Sequence, residues 1–261
     1  CYWVKVYDIP EGGRAAKGRA IVNLIGCEPD EKVSAFISVK EFNDDHYVVM
    51  ATEKGMVKKT KLSAYSNPRK KGIYAVEIRD GDKLIEARVS TGDNDILLGT
   101  RNGKSIRFSE EQIRASGRKT MGVKGITLSS EDDRLVGMLL IKREGTVLVA
   151  TEKGFGKRTE ISQYRAQKRG GKGVLTMKTT DKVGKMVTIK EVVDKDDLMI
   201  ITNQGVLIRL PVAQIRSIGR ATQGVKLIKL GEGTLVSSIT RIMSEEEEDE
   251  NNNTESTEPK E

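Results

Sequence analysis

Aromatic residues are scarce in this sequence: Phe, Trp and Tyr make up 4% of 261 residues. Cys1, Cys27 and His46 are the only residues of their types. The cysteines form no C-x-x-C pair, and His46 has no second ligand-type cluster beside it. Zinc sites and disulfide scaffolds are therefore not expected, and a reducing, cytoplasmic setting fits. No apolar run approaches the roughly 18 residues of a membrane-spanning helix, so no membrane partner is expected. No secretory leader opens the chain. It does not begin with Met either, so a processed or excised piece is expected. No Walker-type loop offers a site for ATP, and no nucleophile is set beside a base. No catalysis is expected from this chain alone.

Charge is abundant and unevenly placed. Net charge is +7, yet Glu245–Glu261 holds nine acidic residues against one lysine, which leaves +15 on residues 1–244. So basic a body points to a polyanion, nucleic acid first, with a merely soluble basic surface as the alternative. The acidic stretch has no apolar anchor and reads as a disordered tail, 245–261, after a folded body, 1–244. The tail is either solubilising or an internal competitor for the basic surface.

A repeat of about fifty residues organises the body. Four segments share one opening: YVVMATEKGMVKKT from Tyr47, ILLGTRNGKSIRF from Ile96, VLVATEKGFGKRT from Val147 and LMIITNQGVLIRL from Leu198. Each is an apolar β-rich run, a Thr-x-x-Gly turn, then a run carrying Lys or Arg. The turn glycines Gly55, Gly103, Gly154 and Gly205 are spaced by 48, 51 and 51 residues. Each opening reads as a β-hairpin. A third strand is expected at IYAVEI, VKGITL, VLTMK and VKLIK, and a fourth at LIEARVS, LVGMLLI, MVTIKEV and LVSSIT. Four strands per unit is the pattern of a propeller blade, and no helical periodicity is sustained. CYWVKVYDIP at the start matches the second strand of such a hairpin. Five visible repeats are therefore expected, the first incomplete, with further sequence upstream.

A basic loop precedes each third strand: RAAKGRA from Arg14, PRKKGIY from Pro68, RKTMGVKG from Arg118, RGGKGVL from Arg169 and RATQGVK from Arg220. Arg14, Arg118, Arg169 and Arg220 each stand four residues before a glycine, and Arg69 stands three before one. Lys17, Arg19, Lys70, Lys71, Lys119, Lys124, Lys168, Lys172 and Lys226 add cations in register. Equivalent loops on successive blades form a positive belt, matched to duplex DNA with its charge every ~1.7 Å of axis. Glycine lets backbone N–H groups approach phosphate, and Arg offers paired donors. The competing reading gives the glycines to turns and the arginines to strand carbonyls. No recognition helix, zinc finger or aromatic RNA-binding strand is present to read bases. Few aromatics also argues against stacking on single strands.

VYDIPEGGRAAKGRAIVNLI (Val6–Ile25), GMVKKTKLSAY (Gly55–Tyr65), FGKRTEISQY (Phe155–Tyr164) and GRATQGVKLI (Gly219–Ile228) resemble the C-terminal domain of the DNA gyrase A subunit, over essentially all of Cys1–Ile242. The resemblance implies an all-β, propeller-like β-pinwheel, six-bladed in the family, with strands exchanged between blades. It implies wrapping of duplex DNA around a basic rim with positive handedness, in support of ATP-dependent negative supercoiling. It also implies partnership with the rest of the gyrase A subunit and with the gyrase B subunit. The catalytic tyrosine, ATP and magnesium belong to other parts of that holoenzyme, so no cofactor is expected here, and the six tyrosines are expected to be packing residues. The family's heptapeptide, Q-[RK]-R-G-G-[RK]-G, is matched by Gln167, Lys168, Arg169, Gly170, Gly171, Lys172 and Gly173. In the family it lies in the first blade. Matched by neighbouring strings, Cys1 corresponds to the second blade and Gln167 to the fifth. The equivalent domain of topoisomerase IV, with fewer blades and degenerate heptapeptides, and a propeller serving as a protein-interaction platform are the alternatives. The well-kept heptapeptide favours gyrase.

Overall fold

A computed structural model describes residues 1–242 except 13–17, 29–30, 68 and 70. The regular structure is all β, with short 3-10 turns between strands. Four hairpins carry the repeat: β1 (Tyr47–Thr52) with β2 (Met56–Lys61), β4 (Asp95–Thr100) with β5 (Lys104–Ser109), β8 (Thr146–Thr151) with β9 (Phe155–Glu160), and β12 (Asp197–Thr202) with β13 (Leu207–Pro211). Between and after them lie β3 (Leu84–Ser90), β6 (Val123–Lys124), β7 (Leu135–Ile141), β10 (Val174–Leu175), β11 (Met186–Val192), β14 (Val225–Lys226) and β15 (Val236–Ile242).

The Thr-x-x-Gly spacing makes each hairpin turn. The amides of Gly55, Gly103, Gly154 and Gly205 donate to the carbonyls of Thr52, Thr100, Thr151 and Thr202, each at 3.0 Å. The glycines take φ between 77° and 83°, where a Cβ is unwelcome. Three of the threonine hydroxyls then accept from the amide after the glycine: Met56, Lys104 and Val206, at 3.2, 3.3 and 3.1 Å.

Strand order is β3-β1-β2-β6, β7-β4-β5-β10 and β11-β8-β9-β14 in three four-stranded sheets, and β15-β12-β13 in the fourth. The third strand of each repeat therefore does not join its own hairpin. It closes the preceding one: β6 pairs with β2, β10 with β5 and β14 with β9. This is the strand exchange that the family resemblance implies; the repeat read from sequence order alone would have placed the third strand on its own hairpin. These strands are also only two residues long, shorter than expected, because the chain then leaves the sheet. Gly125, just past β6, turns its carbonyl to Gly170 N at 2.7 Å. Ile73–Ile78 and the opening residues form no strand. Cys1 and Ile73 nevertheless exchange both backbone hydrogen bonds, at 2.9 and 3.0 Å, in the register of the other exchanged pairs.

Contacts divide the chain into two compact units, Cys1–Asp93 with Ile113–Lys124, and Asn94–Gln112 with the chain from Gly125 onward. Ile113–Lys124 joins the first because β6 pairs there. In the second, sheets stack face to face. Val147 and Val149 of β8 pack with Leu97, Leu139 and Ile189, while Leu148 and Ala150 on the opposite face pack with Leu198, Ile200 and Ile239. A strand covered on both faces needs an unbroken apolar run, and each such side chain contributes roughly 1.5–3 kcal/mol when fully buried. Met199 and Ile201, part of the apolar run from Leu198, are only partly buried. β12 alternates because it packs against a neighbouring sheet on one face. In the first unit, Val48, Met50, Leu62, Tyr65 and Ala87 form the core, with Trp3, Phe42 and Ile73 packed on it. Tyr65 and Tyr164 are packing residues as expected, whereas Tyr7 and Tyr74 are exposed. Their packing role is corrected, since neither lies on a strand with a sheet against it. No helix among the described residues is long and apolar enough to cross a membrane.

Candidate nucleic-acid interface

The glycine that ends each basic loop is required by the strand exchange. Gly72, Gly122, Gly173 and Gly224 have φ of 68°, 81°, 69° and 75°. A Cβ on them would lie 2.9, 2.3, 2.4 and 2.6 Å from the carbonyl oxygens of Cys1, Val57, Ser105 and Gly156, respectively. The next residue begins the exchanged segment. Four residues into that segment, an amide reaches the following loop: Glu77 N donates to Thr120 O (3.1 Å), Thr127 N to Gly171 O (2.9 Å) and Lys178 N to Thr222 O (3.0 Å). Within each compact unit, the segment leaving one loop is thus hydrogen-bonded to the next loop. Loops 69–72 and 118–122 are neighbours in the first compact unit, and loops 169–173 and 220–224 in the second.

The heptapeptide is held from below and from one side. Gln167 N donates to Arg107 O at 2.8 Å. Gln112 donates from Nε2 to Gln167 O (3.2 Å), accepts Arg169 N on Oε1 (2.9 Å) and accepts Arg169 Nε on its carbonyl (2.9 Å). Thr127 Oγ1 donates to Gly170 O at 2.6 Å. Arg169 therefore helps to build the loop, while Lys168 and Lys172 are exposed. Arg220 behaves likewise: Nη1 donates to Leu175 O at 2.9 Å and the guanidinium lies 5.9 Å from the Tyr164 ring centre. Lys119 lies over exposed Tyr74 at 5.5 Å and Lys226 over Phe155 at 5.6 Å. Arg19, Arg69, Lys71 and Lys124 are exposed, and Arg118 is half-buried. Arg14, Lys17 and Lys70 lie outside the described residues, as does the acidic tail.

Cations that support the loops are missing from the sequence-derived set. The fourth residue after each turn glycine is Lys59, Arg107, Arg158 or Arg209. Arg107 pairs with Asp95 at 2.6 Å and donates from Nη1 to the carbonyls of Ile161 and Tyr164 in the next repeat, at 3.2 and 3.3 Å. Arg158 pairs with Asp194 and donates from Nε to Ile215 O at 2.8 Å. Beneath two loops lie fully buried lysines, Lys58 and Lys157. Burial pushes both ammonium groups down from the ordinary lysine value to about 8, with Arg118 adding at Lys58 and Arg220 at Lys157. The recurring cation after the turn was a legible signal for the first set. A buried lysine gives no such signal, because it looks like any surface cation in a strand. Among the described residues, no group of three or more His, Cys, Asp or Glu could hold a metal ion.

This geometry, exchanged strands with basic loops before them, has relatives. A family model described as "DNA gyrase C-terminal domain, beta-propeller" matches residues 1–40, 46–91, 94–142, 145–192 and 196–242. The DNA gyrase A subunit of Staphylococcus epidermidis is 45% identical over 248 residues, covering 94% of this chain and 28% of the relative. That of Salmonella typhimurium is 42% identical over 241 residues, covering 92% and 27%. The chain thus spans little more than a quarter of these relatives. Among solved structures, the C-terminal domain of DNA topoisomerase IV is similar with a TM-score of 0.83 at 24% identity, covering 92% of this chain and 76% of that one. The DNA gyrase A C-terminal domain is similar with a TM-score of 0.78 at 23% identity, covering 87% and 76%. At these identities the two structures speak to the fold, which is the propeller-like one expected.

Proposed function

The chain belongs to the DNA gyrase C-terminal domain family, and from that premise we propose that it binds duplex DNA along its basic loops and bends it into a wrap. The observation that carries this reading is the recurrence of one loop position beside an exchanged strand, with exposed Lys71, Lys119, Lys172 and Lys226 in or just after those loops. Bending 20–30 bp by 40–90° costs on the order of 1–6 kcal/mol. One strong contact does not offset that over a long path, whereas many weak contacts in series do. Lys119, Lys124, Lys168, Lys172 and Lys226 are assigned to phosphate, joined by Arg19, Arg69 and Lys71. Arg14, Lys17 and Lys70 carry the same assignment from the sequence alone. Arg118, Arg169 and Arg220 shape the loops and add field. Backbone contact without base readout makes the binding indifferent to sequence.

In the holoenzyme the domain acts as a non-catalytic part of the gyrase A protein, presenting a wrapped segment for strand passage. ATP and magnesium are handled elsewhere in the holoenzyme, in the cytoplasm. Binding to duplexes of increasing length tests the reading. A wrap gives affinity and a log–log salt slope that grow with length, by about −0.9 per phosphate engaged. A slope that stays constant beyond a short duplex contradicts it.

A further inference from the structure

Three of the basic loops lie over a hairpin strand, and the residue beneath divides them into two kinds. The third residue after the hairpin glycine is Lys58 in β2, Ile106 in β5 and Lys157 in β9. Lys157 Nζ donates to Gly219 O at 2.7 Å, to Arg220 O, and to Thr222 Oγ1 at 3.0 Å. Lys58 Nζ donates to Arg118 O and, at 2.8 Å, to Ala75 O. Both loops carry Thr two residues before their glycine. Thr120 Oγ1 donates to Gly117 O at 2.9 Å and Thr222 Oγ1 to Gly219 O at 3.0 Å, closing matching turns. Over Ile106 the corresponding residue is Gly171, where a Cβ would lie 3.4 Å from Ile106 Cδ1. Lysine beneath goes with Thr above, and isoleucine beneath with Gly above.

Among the described residues, both ammonium groups donate to carbonyl or hydroxyl oxygens and to no carboxylate. A buried charge without a counter-charge is costly, and a well-packed hydrophobe in its place is often neutral or stabilising. We propose that Lys58 and Lys157 are positioning residues: internal latches that lock loops 117–122 and 219–224 into one shape for phosphate. The loop Gln167–Gly173, over Ile106, has no such lysine; Gln112 and Thr127 hold it from the side instead. Each latch draws the carbonyls of its loop inward, onto the lysine. The role assigned to the fixed shape rests on the DNA-binding reading above; the latch itself does not.

The test is Lys157→Met, with Thr222→Val as a variant that removes one latch partner from an exposed position and leaves the core intact. Amide exchange of the free proteins and the linking-number change on ligating nicked circular DNA are both measured. For Lys157→Met we expect loop amides 218–224 to exchange at least about tenfold faster, with β8 and β12 amides unchanged and Tm held or raised. The linking-number change falls. Thr222→Val moves both readouts in the same direction, by less. Unchanged loop exchange in Lys157→Met overturns the latch. A drop in Tm with uniformly faster exchange also overturns it, since that describes an ordinary structural residue. If the unmodified chain itself produces no linking-number change, the DNA-wrapping reading fails instead, while exchange still decides the latch.

Discussion

At the scale of single residues, Gly224 and Gly18 offer a controlled comparison. Both have positive φ, 75° and 69°. A Cβ at Gly224 would meet the Gly156 carbonyl at 2.6 Å, whereas at Gly18 nothing lies within 4 Å. Gly18→Ala is expected to cost only backbone strain, about 1–2 kcal/mol. Gly224→Ala should cost more and detach β14, with a larger fall in denaturation midpoint as the check. The heptapeptide divides similarly. Lys168→Ala and Lys172→Ala should leave stability unchanged and each reduce the salt slope of DNA binding by about 1. Arg169→Ala should also loosen the loop, because Gln112 loses a partner; amide exchange at residues 167–171 reads this. The buried lysines set a pH dependence. Lys58 and Lys157 release their protons near pH 8 when folded, below their ordinary value. The unfolded chain then binds more protons above pH 8, so their contribution to stability rises with pH there. Urea denaturation at pH 8 and pH 10 should show the chain gaining on a Lys58→Met, Lys157→Met variant.

At the scale of elements, the hairpins were legible in the sequence, because Thr-x-x-Gly and its flanking apolar runs form them from neighbouring residues. The fourth strands were legible for the same reason: LIEARVS, LVGMLLI and MVTIKEV coincide with β3, β7 and β11. The destination of the third strand was legible only through the family resemblance, not from the residues themselves. Val123, Val174 and Val225 look alike whether they close their own hairpin or the one before. Only the fit of Gly122, Gly173 and Gly224 onto the preceding strand decides it. The loop arginines were ambiguous for a related reason: Arg169 and Arg220 spend donors on carbonyls contributed by distant chain, which spacing does not reveal. Arg107 is the element-scale counterpart, tying one hairpin to the next repeat. Arg107→Met removes a partly buried ion pair and two carbonyl contacts together. A loss of about 1–3 kcal/mol is expected, the range for hydrogen bonds to a charged group that is only partly buried, read from the urea midpoint.

At the scale of the whole molecule, the separation of charge is the dominant fact. A body at +15 is followed by nine acidic residues in the last 17. Tethered polyanion competes with DNA at high effective concentration, so a chain ending at Ser244 should bind duplex more tightly at moderate salt, with the gain shrinking as salt rises. Titrations at two salt concentrations check this. Under the proposed function, contacts spread over several loops bend DNA into a wrap of fixed hand, and ligation of nicked circular DNA in the presence of the chain measures that hand. A positive linking-number change is expected, growing with bound protein and falling partially in the Lys168→Ala, Lys172→Ala variant. Saturating, salt-sensitive binding with no change in linking number would contradict it.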